Sequence, residues 1–249
     1  MNDHELAAHI ARAAGELLLS VRTEALADGV DAKQLKNLGD TRSNDLILAL
    51  LAEHRPADAV LSEESKDDLV RLGADRVWIV DPVDGTREYS EARSDWAVHV
   101  ALVRAGAPIA AAVALPGLDR VLNMDPIETI APPHNGPVRL VVSRTRPPAL
   151  ATHLAETLGM ELVPMGSAGA KAMSVLRGES DVYAHGGGQY EWDSCAPVGV
   201  ALAAGLHCSR LDGSPLVYNN ENPYLPDLLI CRPELADEML AAIAAAPSD

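Results

Sequence analysis

The stretch Val77-Trp78-Ile79-Val80-Asp81-Pro82-Val83-Asp84-Gly85-Thr86 constrains this chain more than any other. An apolar strand runs directly into two carboxylates, so one short element must be core at its start and polar at its end. Pro82 fixes φ at the junction, and the turn it helps form can aim Asp81, the Val83 carbonyl and Asp84 at one point. Three hard oxygen donors on a rigid strand end suit Mg²⁺. Gly85 and Thr86 can then open a helical turn whose free N–H groups and hydroxyl cradle a phosphate beside the metal. The competing reading is an Asx-type turn in which both aspartates only satisfy backbone donors.

Two further acidic elements resemble this one. Leu61-Ser62-Glu63-Glu64-Ser65 again places carboxylates after a short apolar strand; Ser65 and Asp68 have capping-box spacing and can start a helix at Lys66, which leaves Glu63 and Glu64 unexplained. In Glu191-Trp192-Asp193-Ser194-Cys195-Ala196-Pro197, Asp193 reads as the N-cap of an apolar helix, with Pro197 in its first turn. Capping alone accounts for Asp193, yet a carboxylate at that helix start is also free to coordinate a metal.

Around these elements the pattern predicts a mixed α/β chain of α+β type. Leu6, Ile10, Ala13, Ala14, Leu17, Leu18 and Val21 recur at helical spacing between Glu5 and about Ala27, and a second helix is expected from Arg42 to Glu53, ending before Pro56. Short apolar runs at 59–61, 76–80, 96–103 and 109–115 read as strands. Pro132, Pro133, Asn135, Gly136 and Pro137 form the strongest breaker cluster and divide the chain into segments 1–135 and 136–249. In the second segment strands at 139–142, 161–164, 181–184 and 228–231 alternate with helices from about Pro147, at 168–177 closed by Gly178, at 194–204 closed by Gly205, and at 234–244.

Composition limits the partners. A formal charge of −16 and a pI near 4.8 argue against a nucleic-acid polymer, and neither an aromatic ladder nor a basic run suggests single strands or a membrane surface. The three cysteines, Cys195, Cys208 and Cys231, lack CxxC spacing and read as reduced core residues. No apolar run approaches the roughly 20 residues a membrane helix needs, and the acidic MNDHELAAHI start is unlike a secretory signal, so a cytoplasmic location is expected.

The sequences LSEES (61–65), VWIVDPVDGTREYS (77–90), GSAGAKAMSVLRG (166–178) and GGQYEWDSCAP (187–197), with RLDGSPLVYN (210–219), resemble the inositol monophosphatase superfamily of lithium-sensitive, magnesium-dependent phosphatases. Within it they look most like the actinobacterial CysQ-type 3′(2′),5′-bisphosphate nucleotidases. The resemblance covers nearly the whole chain. It implies an αβαβα layered sandwich of two subdomains, with two or three Mg²⁺ ions bound between them by Glu63, Asp81, the Val83 carbonyl, Asp84 and Asp193.

Glu63 and Thr86 would orient the attacking water, the Gly85 and Thr86 amides would hold phosphate oxygens, and Asp40 would support the threonine. Asn37-Leu38-Gly39 replaces the Val-Thr pair usual before that aspartate. Ser167, opening a helix, and Lys171, one turn on, match the pattern used for a second phosphate; Gln189 and Tyr190 lie in the loop expected to touch substrate, where His185 stands in place of a basic residue. The substrate so implied is a small phosphorylated nucleotide, 3′-phosphoadenosine 5′-phosphate or its 5′-phosphosulfate relative, in sulfur-assimilation recycling, and the family often forms homodimers. Inositol-1-phosphate or fructose-1,6-bisphosphate hydrolysis is the alternative within the class, and an acidic cation-binding protein without turnover is the alternative outside it.

Overall fold

The computed structural model of the chain describes residues 1–246; residues 247–249, the end of the segment read as 136–249, lie outside them. Helix α1 (Asp3–Ala27) begins with a reciprocal cap in which Asn2 Oδ1 accepts from Glu5 N at 2.9 Å and Glu5 Oε2 accepts from Asn2 N at 2.8 Å. Helix α2 (Ala32–His54) starts well before the expected Arg42, because Asp31 caps it through Gln34 N at 2.9 Å. Gly39 hides this in the sequence, since an internal glycine reads as a break. Its real purpose is clearance: a Cβ there would lie 2.7 Å from the Tyr89 ring.

Among the described residues the strands form two five-stranded sheets. The first, in order β1 to β5, contains β1 (Ala59–Ser62), β2 (Val77–Asp84), β3 (Ala97–Arg104), β4 (Ala107–Leu115) and β5 (Arg120–Asn123), with only the β1–β2 pair parallel. Helix α3 (Thr86–Ser90) follows β2 directly. The remaining elements are β6 (Arg139–Ser143), α4 (Ala149–Leu158), β7 (Glu161–Met165), α5 (Ala168–Leu176), β8 (Val182–Tyr190), α6 (Glu191–Ala204), β9 (His207–Ser209), β10 (Tyr224–Cys231) and α7 (Ala236–Ala244). They build the second sheet in order β7-β6-β8-β10-β9.

Three expectations need correction. The three-residue β9 and four-residue β5 were unforeseen, being too short to show a period. No helix starts at Lys66: Asp67 and Asp68 accept from Leu69 N and Val70 N at 3.0 and 3.1 Å and lead into a 3-10 turn at Val70–Gly73. Asp193 is the third residue of α6, not its cap, because β8 runs unbroken to Tyr190 and passes straight into the helix.

Side-chain alternation stacks these elements in five layers. Trp78, Val80, Val98, Val100 and Leu102 face Leu6, Ile10, Leu18, Ile47 and Leu51 of α1 and α2. The opposite positions Val77, Ile79, Ala101 and Val103 pack with Met173 and Val175 of α5, with Val198 and Val200 of α6, and through them with Tyr183 and Ile230 of the second sheet. That sheet's far face, with Leu140, Val182 and Leu229, covers Leu154 of α4 and Met239 of α7. The order is αβαβα, as the resemblance implied, with α5 and α6 shared between the sheets. Cys195 and Cys231 are buried and Cys208 half-buried; all three are free thiols, and burial raises their pKa.

Candidate functional site

The strand that opened the sequence argument also organises the site. Pairing between β2 and β3 runs from Val77 to Asp81 and then breaks until Asp84, as expected where Pro82 has no N–H to donate. Ser43 on α2 holds the freed Pro82 carbonyl through its hydroxyl at 2.8 Å, and Val83 N donates to Asp81 Oδ1 at 3.0 Å. The Asx-type turn is thus present. It occupies only one Asp81 oxygen, and Oδ2 is buried without a partner.

One strand away, the β1 ladder extends a residue further through Glu63 N to Val80 O at 3.3 Å, which brings Glu63 alongside Asp81. Ser62 and Asn44 fix this end of β1 by a 2.7 Å hydrogen bond. From the other half, α6 presents Asp193, whose Oδ2 accepts from Tyr190 N at 2.7 Å. Asp81, Asp84 and Asp193 each offer an oxygen within 4.8 Å of the others.

The electrostatics follow from that crowding. Burial first, then Glu63 and Asp84, hold the Asp81 carboxyl well above its ordinary range. Glu63 is open to solvent by surface area, yet its carboxyl sits in the cleft, and burial followed by Asp193 pushes it up to about 7. Burial and Asp84 bring Asp193 up to about 6. Asp84 moves the opposite way. Burial alone would raise it, but His99, Lys171 and Ser167 outweigh that and take it to about 2.

Asp84 also caps α5 from across the cleft, accepting from Ala168 N at 3.0 Å, Gly169 N at 2.6 Å and the Ser167 hydroxyl. His99, fully buried, places Nδ1 2.9 Å from Trp192 O and Nε2 3.3 Å from Asp84 Oδ2, an ionic contact too poorly aligned for a hydrogen bond. The sequence analysis does not single out His99. The signal was available: His99 is the one titratable group inside the apolar run 97–103.

The other sequence-selected residues are distributed as follows. Gly85 sits at φ 88°, ahead of α3, and a Cβ there would come within 3.0 Å of Ser167 Cβ, so the glycine lets the two halves meet. Thr86 is the first residue of α3, half-buried. Asp40 lies inside α2, where burial and Glu64 raise it to about 7. Lys171 is buried in α5 with Nζ on the Ser167 and Gly166 carbonyls and 5.5 Å from the Tyr183 ring centroid; burial lowers its pKa.

Gln189 is buried and gives Nε2 to Tyr183 Oη at 2.8 Å, leaving Oε1 unpaired. Tyr190 is 42 % exposed and stacks on Trp192, with centroids 4.8 Å apart and planes at 7°. His185 borders an open cavity of about 450 Å³ shared with Ser143, Arg146 and the glycines at 186–188. Sequence reasoning missed Arg144, which binds Glu88 Oε1 at 2.7 Å and also Glu91, joining β6 to α3 across the halves.

Oxygen-only donors, an unpartnered buried carboxylate oxygen and carboxyls whose pKa is raised by burial and then by one another together fit a hard divalent cation. Among the described residues no helix is long and apolar enough to cross a membrane.

A model of the inositol monophosphatase family matches residues 3–247. The chain is 54% identical over 241 residues to the 3′-phosphoadenosine 5′-phosphate phosphatase of Mycobacterium tuberculosis, covering 93% of this chain and 89% of that one. It is 51% identical to the protein of the same name from Mycobacterium leprae, over 98% and 94% of the two chains. The solved structure of CysQ from Bacteroides thetaiotaomicron, a bacterial member of the inositol monophosphatase family, superposes with a TM-score of 0.80 at 27% identity, over 92% of this chain and 96% of that one.

Proposed function

The chain belongs to the inositol monophosphatase family, and from that premise we propose that this phosphatase removes the 3′-phosphate of 3′-phosphoadenosine 5′-phosphate with the help of Mg²⁺. The observation that carries the reading is the convergence of Asp81 and Asp84 from one half with Asp193 from the other. The likeness to the two mycobacterial phosphatases supports the substrate. The 5′-phosphosulfate relative is a second substrate of the same shape, and recycling of sulfur-assimilation nucleotides in the cytoplasm is the role that suits both.

Asp81, Asp84, Asp193 and the Val83 carbonyl are the groups that would hold two or three magnesium ions, with Glu63 at their edge. Bound there, magnesium supplies positive charge that acidifies an attacking water and offsets charge on the departing oxygen. Glu63 takes the proton released by the attacking water, and the Thr86 hydroxyl beside the strand end orients that water. Asp40 is the acid in reserve behind them on α2. The Gly85 and Thr86 amides at the start of α3 receive phosphate oxygens.

Ser167 and Lys171 are the proposed partners of the second phosphate, with Gln189 and Tyr190 lining the approach. In the structure the Lys171 ammonium rests on the Gly166 and Ser167 carbonyls, so an anion recruits it by displacing those contacts.

The test is phosphate release from a panel of substrates with Mg²⁺. The kcat/KM for 3′-phosphoadenosine 5′-phosphate should exceed those for inositol 1-phosphate and fructose 1,6-bisphosphate by at least about tenfold, the discrimination expected when a site pairs polar groups of the correct substrate. Equal or better turnover of the sugar phosphates would overturn the nucleotide assignment. Chelation should abolish release on every substrate.

A further inference from the structure

Arg71 is 1 % exposed, yet nothing in the phosphate chemistry uses it. Its guanidinium forks onto Asp67 Oδ2 at 3.0 and 2.8 Å and reaches Asn219 Oδ1 at 2.7 Å and Glu221 O at 3.4 Å. Asn219 and Asn220 in turn give their backbone N–H groups to Glu191 at 2.6 and 2.9 Å, and Asn220 Nδ2 adds a third bond at 2.8 Å. Glu191 is also 1 % exposed and is the first residue of α6, on the same helical turn as Asp193. Its own N–H donates to Pro223 O at 2.8 Å.

The other end of this run is equally close to the site. Asp67 and Arg71 follow Glu63 on the loop that leaves β1, and the start of that loop is held by Ser62 and Asn44. A continuous set of charge-assisted bonds therefore leads from the loop of Glu63, through residues 219–221, to the helix of Asp193.

We propose that Arg71 and Glu191 are positioning residues that hold the Glu63 loop and the Asp193 helix at a fixed separation, so that carboxylates from the two halves stay assembled for the metal. The inference rests on the magnesium reading of the site. Its physical ground is a balance. Crowded carboxylates repel one another and would splay a loop that nothing restrains. Burying the Arg71–Asp67 ion pair and the Glu191 carboxylate costs desolvation that their hydrogen bonds only offset, so these groups add little to stability by themselves and serve instead to fix geometry. Charge-assisted forks supply that rigidity because their direction is specified as well as their strength.

The experiment is calorimetric titration of the full chain with MgCl2, without substrate, well below each variant's Tm. Arg71→Met and Glu191→Gln should each weaken magnesium binding about 10- to 100-fold, as loss of outer support does at other metal sites. The double variant should lose little more than the worse single, since both cut one connection. Asn219→Ala leaves the Arg71–Asp67 fork intact and removes the 2.7 Å bond from Arg71 to the 219–221 segment, leaving only the 3.4 Å contact with Glu221 O, so it carries the test if Arg71→Met does not fold. Variants that melt earlier but bind magnesium with unchanged Kd would show an ordinary structural role and overturn the proposal. A parent chain that binds no magnesium would instead overturn the underlying metal assignment, a result visible before any variant is made.

Discussion

Asp81 and Asp84 stand three positions apart on one strand end, yet their carboxyls are driven in opposite directions. Asp81 is buried among other acids with Oδ2 unpartnered, whereas Asp84 faces His99, Lys171 and the N-terminus of α5. Identical chemistry is set by environment. The raised group is larger: Glu63 and Asp40 at about 7 and Asp193 at about 6, against values near 4 in an unfolded chain. The folded state thus binds more protons between about pH 4 and 7, and stability falls as pH rises through that window. Asp84 has the opposite sign, and its contribution is lost only as pH drops from about 4 toward 2. Metal-free protein should therefore lose several degrees of Tm between pH 5 and 8, at about 2–4 °C per kcal/mol for a chain of this size. Millimolar magnesium should flatten the slope, because cation replaces the missing protons. A level profile in EDTA, read by differential scanning fluorimetry, would contradict the crowding.

At the level of elements, Gly39 provides a case where magnitudes decide the sign. Alanine inside a helix is worth about 1 kcal/mol over glycine. The added methyl, however, would sit 2.7 Å from the fully buried Tyr89 ring, whose hydroxyl is tied to Leu18 O at 2.9 Å and cannot swing away. Overpacking of this kind costs about 1–3 kcal/mol, so Gly39→Ala should lower the denaturation midpoint; an unchanged or raised midpoint in urea would mean that α2 yields. The same residue shows why the sequence was only partly legible. Strands such as 97–104 were readable because alternate residues face two different helical layers and all but His99 and Arg104 are apolar. The first ten residues of α2 were not, because Gly39 serves a contact with residue 89 that local reasoning cannot see. Asp81, Asp84 and Asp193 were legible as acids beside strand and helix ends. Their meeting, and the contributions of His99 and Arg144, depend on partners from other elements: Asp84 and Trp192 for His99, and Glu88 for Arg144.

For the molecule as a whole, the shared middle layer matters most. Helices α5 and α6 bury their side chains against both sheets at once, and Arg144 with Glu88 and Glu91 adds a tie separate from that through Arg71. Neither sheet can lose its partner without exposing that layer. Unfolding should accordingly be a single transition, with tryptophan fluorescence, from Trp78 in β2, Trp96 just before β3 and Trp192 on α6, coincident with far-ultraviolet circular dichroism. Separate midpoints would mean that the halves unfold independently. The thiols give this cooperativity a clock. Cys195 lies between the sheets and Cys231 in the outer one, both screened from reagent and held as the unreactive SH form. A disulfide-exchange dye can mark them only in molecules that have momentarily opened, so one common labelling rate reports a body that breathes all at once, and two rates report an outer sheet that keeps its own time.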